Sequence, residues 1–169
     1  MIDSSLLQNS RLFDGFSGAE YSQLAAVMDT RRYGAGKAIV EEGHAPDHLY
    51  LVQSGAVRVT RNFGGSELTV ATLHAGDHFG EMALIDEHPH SATVIAEGDC
   101  EIAQLSRTDL NRLLAGSDTM RAKYWQAIAV ELTRRIRTTT NTMRDYVGIN
   151  KALCENEKFR EFYILCNSQ

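Results

Sequence analysis

Between Arg32 and about Arg107 the chain changes hydrophobic period, and that change restricts its fold more than any other feature. On either side, apolar residues recur at helical spacing. Inside it, short apolar or alternating segments follow one another: AIV at 38–40, LYLVQ at 49–53, AVRVTR at 56–61, ELTVATL at 67–73, SATVIA at 91–96 and CEIAQL at 100–105. Glycines at 34, 36, 43, 55, 64, 65, 76, 80 and 98 separate them, as tight turns require permissive backbone. Many short strands with close turns predict a compact antiparallel β sandwich or barrel over residues 31–107. No internal repeat or linker-like segment interrupts it.

The flanks read as helices. Ser17 to Asp29 carries Tyr21, Leu24, Ala25, Val27 and Met28 behind a Ser17–Glu20 capping-box signature. Upstream, Leu6, Leu7, Leu12, Phe13 and Phe16 suit short helical turns docked on the domain, so residues 1–30 form an N-terminal helical segment. Beyond Ser106, RTDLNRLLAG predicts a short helix and Ser117 to about Val147 a long one, together spanning 108–147. In the long one Tyr124, Ile128, Leu132 and Ile136 recur every four residues, Met143 and Val147 extend the stripe, and Arg134, Arg135, Arg137 and Arg144 lie mostly off it. Roughly 30 residues make a helix ~45 Å long, more than a β unit needs for cover, so its far end is expected to meet another partner, such as a second copy. The segment 148–169 holds Phe159, Phe162, Tyr163, Ile164 and Leu165, and its simplest form is a short helix packed on the body.

The 169 residues, 43% of them hydrophobic, suit one domain with a helical extension. A formal charge of -5 opposes a surface built to neutralise nucleic-acid phosphates. No apolar run approaches ~18 residues and the N-terminus lacks a signal pattern, so a cytoplasmic protein without membrane partners is expected. Cys100, Cys154 and Cys166 have neither disulfide nor zinc spacing. No nucleophile elbow, phosphate loop or paired-carboxylate motif is present, and an enzyme is not expected.

Residues 79–94, FGEMALIDEHPHSATV, concentrate the candidate chemistry. A turn at Gly76-Asp77 leads to a short helix that would expose the backbone N–H groups of Gly80, Glu81, Met82 and Ala83, donors that favour an anion. Gly80 lets backbone approach a ligand closely. Met82, Leu84, Ile85 and Val94 read as core. All six histidines lie between residues 44 and 90. His44, His48, His74 and His78 sit in turn-like contexts where exposure explains them. His88-x-His90 has a metal-site flavour, but no carboxylate follows at suitable spacing, and no metal is expected.

The pieces RRYGAGKAIVEEG, DHLYLVQSGAVRV, LHAGDHFGEMALI and PHSATV, in this order, resemble the cyclic-nucleotide-binding domain of the catabolite-activator and kinase-regulatory type, over about Phe13 to Arg137. The resemblance implies an α+β fold: a jelly-roll-like antiparallel β-roll with N-terminal helices, a short cassette helix and a long C-terminal helix. It implies that Glu81 accepts from a ribose 2′-hydroxyl, that Ser91 and Ala92 add donors to a cyclic phosphate, and that Val70, Ala71 and Leu73 wall the base. Tyr124, Trp125, Ile128, Leu132 and Ile136 would cap the ligand and form a dimer surface. Where the family has an arginine, this chain has His90. Histidine is not a permanently charged bidentate clamp; losing such a contact, at ~1.5–3 kcal/mol, weakens binding by about one to two decades.

The expected function is a non-enzymatic ligand-sensing module that binds cyclic AMP or cyclic GMP, with His90 engaging the phosphate as imidazolium, and signals through its last helix to a second copy or a regulated protein. Two readings compete: a pocket holding another small ligand, or an empty pocket, with Glu81 facing His90, kept for packing and dimerisation. An aromatic tail, Phe159 to Leu165, filling the pocket is a variant of the second. A cupin-like metal site is remote. Only about 22 residues follow Val147, too few for a helix-turn-helix, so no DNA is expected.

Overall fold

A computed structural model describes residue 2 and residues 4–86 and 88–155. The chain divides into two compact units, Met1–Ile128 and Ala129–Gln169. The first opens with α1 (Ser4–Gln8), a 3₁₀ turn (Arg11–Phe13) and α2 (Gly18–Val27). The Ser17 hydroxyl accepts from the Glu20 N–H at 3.3 Å while the Glu20 carboxylate accepts from the Ser17 N–H, completing the capping box. Leu7, Leu12, Phe13, Phe16, Tyr21 and Leu24 are buried, and the Tyr21 hydroxyl donates to the Phe13 carbonyl at 2.9 Å.

Eight strands follow: β1 (Asp29–Tyr33), β2 (Ala38–Val40), β3 (His48–Ser54), β4 (Ala56–Phe63), β5 (Ser66–His74), β6 (His78–Phe79), β7 (Thr93–Ala96) and β8 (Cys100–Ser106). They form two four-stranded sheets, β1-β8-β3-β6 and β2-β7-β4-β5, every pairing antiparallel. This is the expected β-roll. Tyr50, Val52, Phe79, Cys100 and Ile102 from one sheet meet Val40, Val57, Val94 and Ala96 from the other in the core. Leu49, Leu51, Ala103 and Leu105 alternate with those residues on β3 and β8 and are also buried, so both faces of the first sheet are covered. β5, an edge strand of the second sheet, is exposed over most of its length.

The helix α3 (Glu81–Asp86) follows β6, and α4 (Arg107–Gly116) follows β8. Ser106 caps α4, accepting from the Asp109 N–H at 3.0 Å. α5 begins at Asp118, and its Met120, Tyr124 and Ile128 are buried. The Lys123 ammonium donates to Glu20 at 2.7 Å, fastening the start of α5 to α2.

The second unit is the remainder of α5, which ends at Glu155. Gly148 does not end the helix, contrary to the expected break there. Glu131 accepts two hydrogen bonds from Arg134, at 2.6 and 2.9 Å, and one from Arg135 at 3.0 Å. The Arg134 contacts hold its carboxyl down to about 2, with Arg135 adding to the effect against the opposing cost of burial. The aromatic segment Phe159 to Leu165 lies outside the described residues.

Two further expectations are corrected. Met82, at 48% exposure, and Ile85 are exposed, because the six-residue α3 has too few turns to bury more than one side. His78 is buried instead of exposed, because it lies on β6, paired with Leu51.

Candidate functional site

The site is built where the chain leaves β6. Phe79 pairs with Tyr50 in the ladder and stacks on it, rings 4.8 Å apart and 3° from parallel. Gly80 then takes φ +87°, and a Cβ there would lie 2.9 Å from the His48 carbonyl oxygen and 3.0 Å from Tyr50 Cδ2. Only glycine satisfies both the backbone angle and the space. This turn delivers Glu81 into the interior, where it is 1% exposed. Burial raises the Tyr124 phenol above its ordinary value, and the Glu81 carboxylate raises it further. Those two expected residues therefore share one electrostatic environment.

Burying a carboxylate is costly unless the surroundings repay it. A core built for stability alone gains nothing by placing Glu81 there rather than an apolar residue of similar size. A carboxylate delivered by a glycine held in the left-handed region can accept hydrogen bonds from hydroxyl donors.

His90 is placed by backbone. Its N–H donates to the His44 carbonyl at 2.9 Å, and its carbonyl accepts from the Gly43 N–H at 2.8 Å. The side chain is 8% exposed. Burial lowers its pKa, the Asp47 charge opposes that, His44 reinforces it, and the net direction is down. At neutral pH burial therefore favours the neutral ring in the absence of a bound anion. Asp47 and His44 are charges that act on it.

Asp47 is the residue sequence reasoning missed. Its carboxylate accepts from the His48 ring at 2.8 Å and from the Tyr50 hydroxyl at 3.2 Å. Its carbonyl accepts from the Arg107 N–H at 2.9 Å. Burial would raise its pKa, but the bond and charge of His48 and the Tyr50 hydroxyl outweigh that and lower it. An acid three residues before a tyrosine, at a turn-to-strand junction, was the available signal; nothing in the sequence alone tied it to His90.

The other expected residues are spread around this centre. Ala71 lies opposite Val59, and Leu73 lies opposite Val57 and packs against the core. Val70 is the extra residue where the β4–β5 register shifts, and it is exposed. Ser91 is exposed and Ala92 half-buried, both just before β7, where Thr93 accepts from the Glu42 N–H at 3.0 Å. Met82 and Ala83 belong to α3. On α5, Tyr124 and Ile128 are buried, Leu132 is half-buried, and Trp125 and Ile136 are exposed. The expected stripe is thus split, and Tyr124 and Ile128 are unavailable to a second copy. His88 is exposed and bound to Asp86, and the described residues hold no group of three or more metal-ligating side chains.

The chain belongs to the cyclic nucleotide-binding domain family, whose model matches residues 30–117. It is 34% identical over 124 residues to a cAMP-dependent protein kinase regulatory subunit of Aspergillus fumigatus, a match covering 73% of this chain and 30% of that one. It thus spans about a third of the length of the curated relatives it matches. Among solved structures it is similar to the catabolite activator protein of Thermus thermophilus (34% identity, TM-score 0.72, 85% of this chain and 66% of that one). It is also similar to the regulatory domain of Toxoplasma gondii PKA crystallised with cAMP (34% identity, TM-score 0.63, 73% and 48%). No helix among the described residues is long and apolar enough to cross a membrane.

Proposed function

We propose that the chain is a non-enzymatic regulatory module whose cassette takes cyclic AMP or cyclic GMP and whose last helix passes the occupancy on to a second copy or a regulated protein. The observation that carries this reading is the buried Glu81 carboxylate, delivered by Gly80 to the environment of Tyr124. Glu81 would accept from the ribose 2′-hydroxyl. The N–H groups of Gly80, Glu81, Met82, Ala83, Ser91 and Ala92 would face the cyclic phosphate. Val70, Ala71 and Leu73 would lie along the base, and Tyr124 would meet the ligand from α5.

His90 sets the affinity. Neutral and buried, it offers the phosphate one donor at most, so binding at neutral pH rests on backbone groups and is weaker than an arginine would give. A bound anion favours the imidazolium and raises its pKa, so affinity increases as pH falls. Calorimetric titration of both cyclic nucleotides at pH 6 and pH 8 tests this. Tighter binding at pH 6, abolished in Glu81→Gln at both pH values, supports the reading. Binding that Glu81→Gln leaves unchanged sinks it.

The neutral state of His90 also favours a second reading, a pocket that has lost cyclic nucleotides and serves packing or another small ligand. Absence of binding to wild type, with binding restored by His90→Arg, would select it.

A further inference from the structure

The geometry points to Thr138 as a phosphorylation site for an arginine-directed protein kinase, with the phosphate acting by taking Arg134 and Arg135 away from Glu131. Only Thr138 and Thr140 of the chain's serines and threonines have an arginine three residues before them, and Thr138 also has Arg134 at four and Arg137 at one. A kinase that reads basic residues ahead of its target through carboxylates would find three guanidinium groups there.

The local structure suits the reaction. Thr138 is exposed on α5. The run from Thr138 to Thr142 contains four threonines and an asparagine, residue types that form helix poorly because they lose side-chain freedom or bond back to the main chain. The hydroxyls of Thr138, Thr140 and Thr142 do so, each donating to the carbonyl four residues earlier at 2.9–3.1 Å. One turn here opens at less cost than a turn of alanine or leucine would, and a kinase must open it to reach the hydroxyl.

In the reaction the Thr138 Oγ1 forms a bond to the γ-phosphorus of ATP, the bond from that phosphorus to ADP breaks, and the hydroxyl proton passes to the kinase's base. The consequence follows from helical spacing. Arg134 and Arg135 lie four and three residues before Thr138, on the turn beneath it, and both now donate to Glu131. A phosphate carries up to two negative charges against one on the carboxylate and offers three acceptor oxygens. Phosphothreonine therefore competes for both guanidinium groups and leaves the largely buried Glu131 less compensated.

The test uses the full chain, MgATP and the catalytic subunit of cAMP-dependent protein kinase as the basic-motif probe, with sites mapped by fragmentation mass spectrometry. Expected are one phosphate on Thr138, its loss in Thr138→Ala, a fall in rate of about tenfold or more in Arg135→Ala, and no change in Thr139→Ala. In the phosphorylated chain the Glu131 carboxyl, followed by NMR, should titrate higher than in the unmodified chain. No incorporation while an arginine-containing peptide is fully phosphorylated, phosphate elsewhere than Thr138, or insensitivity to Arg135→Ala would overturn the site. An unmoved Glu131 titration would overturn the competition.

Discussion

Two buried polar residues, Glu81 and His90, carry the proposed reading of this domain. Replacing His90 by arginine restores a permanent, forked donor, and calorimetry at pH 7.5 should show cyclic AMP bound about ten- to a hundredfold more tightly. No gain would mean that the pocket has diverged beyond that position. His90 is also expected to contribute to acid sensitivity. Its pKa in the fold lies below the unfolded value near ~6.5, so the unfolded chain takes up the proton first. Its contribution is intact above ~6.5 and is lost as pH falls from there through the folded pKa. Urea midpoints should therefore fall between pH 7.5 and 5.5, and less so in His90→Gln; equal slopes for both proteins would remove His90 as the cause. The sequence exposed the unusual identity of residue 90. It did not expose the environment, because Asp47 and His44 reach His90 only when the turn before β3 pairs with it.

Among the elements, the turn from β6 into α3 is the most constrained. Gly80→Ala adds a left-handed alanine and a close approach to the His48 carbonyl, together costing about 1–3 kcal/mol. A lowered unfolding midpoint with weakened ligand binding is expected; an unchanged midpoint would show that the turn relaxes freely. Ser17→Ala removes the capping box of α2 and should cost about 0.5–2 kcal/mol without altering ligand affinity, since α2 supplies no site residue. Strands with short apolar runs, such as β3 and β8, were legible at this scale. β1 was not, because its exposed DTRRY carries no apolar period, nor was the two-residue β6. The long helix was legible except for its end, since one interior glycine costs only about 1 kcal/mol and α5 runs through Gly148.

At the scale of the molecule, the roll stands on the core that both sheets share, and Ile102, fully buried at its centre, reports on it. Ile102→Ala should cost about 2–5 kcal/mol in urea unfolding; a loss under ~1 kcal/mol would mean that the core collapses around the gap. Tyr124 and Ile128 are buried, so a partner would have to use exposed positions such as Ile136. If the chain dimerises through α5, light scattering should show Ile136→Glu as a monomer with an unchanged unfolding midpoint, and a monomeric wild type would refute the interface.

By itself the sequence determined a compact β sandwich or barrel between helical flanks, because hydrophobic period, glycine spacing and capping residues act over a few positions of chain, while its resemblance to cyclic-nucleotide-binding domains implied the roll and the place of the cassette. Only the tertiary structure decided that Glu81 is buried near Tyr124, that burial pushes the His90 pKa down against the charge of Asp47, that Met82 is exposed and His78 hidden, and that the apolar stripe of α5 is divided. Burial and charge depend on residues far apart in the chain, and those meet only once the sheets have paired.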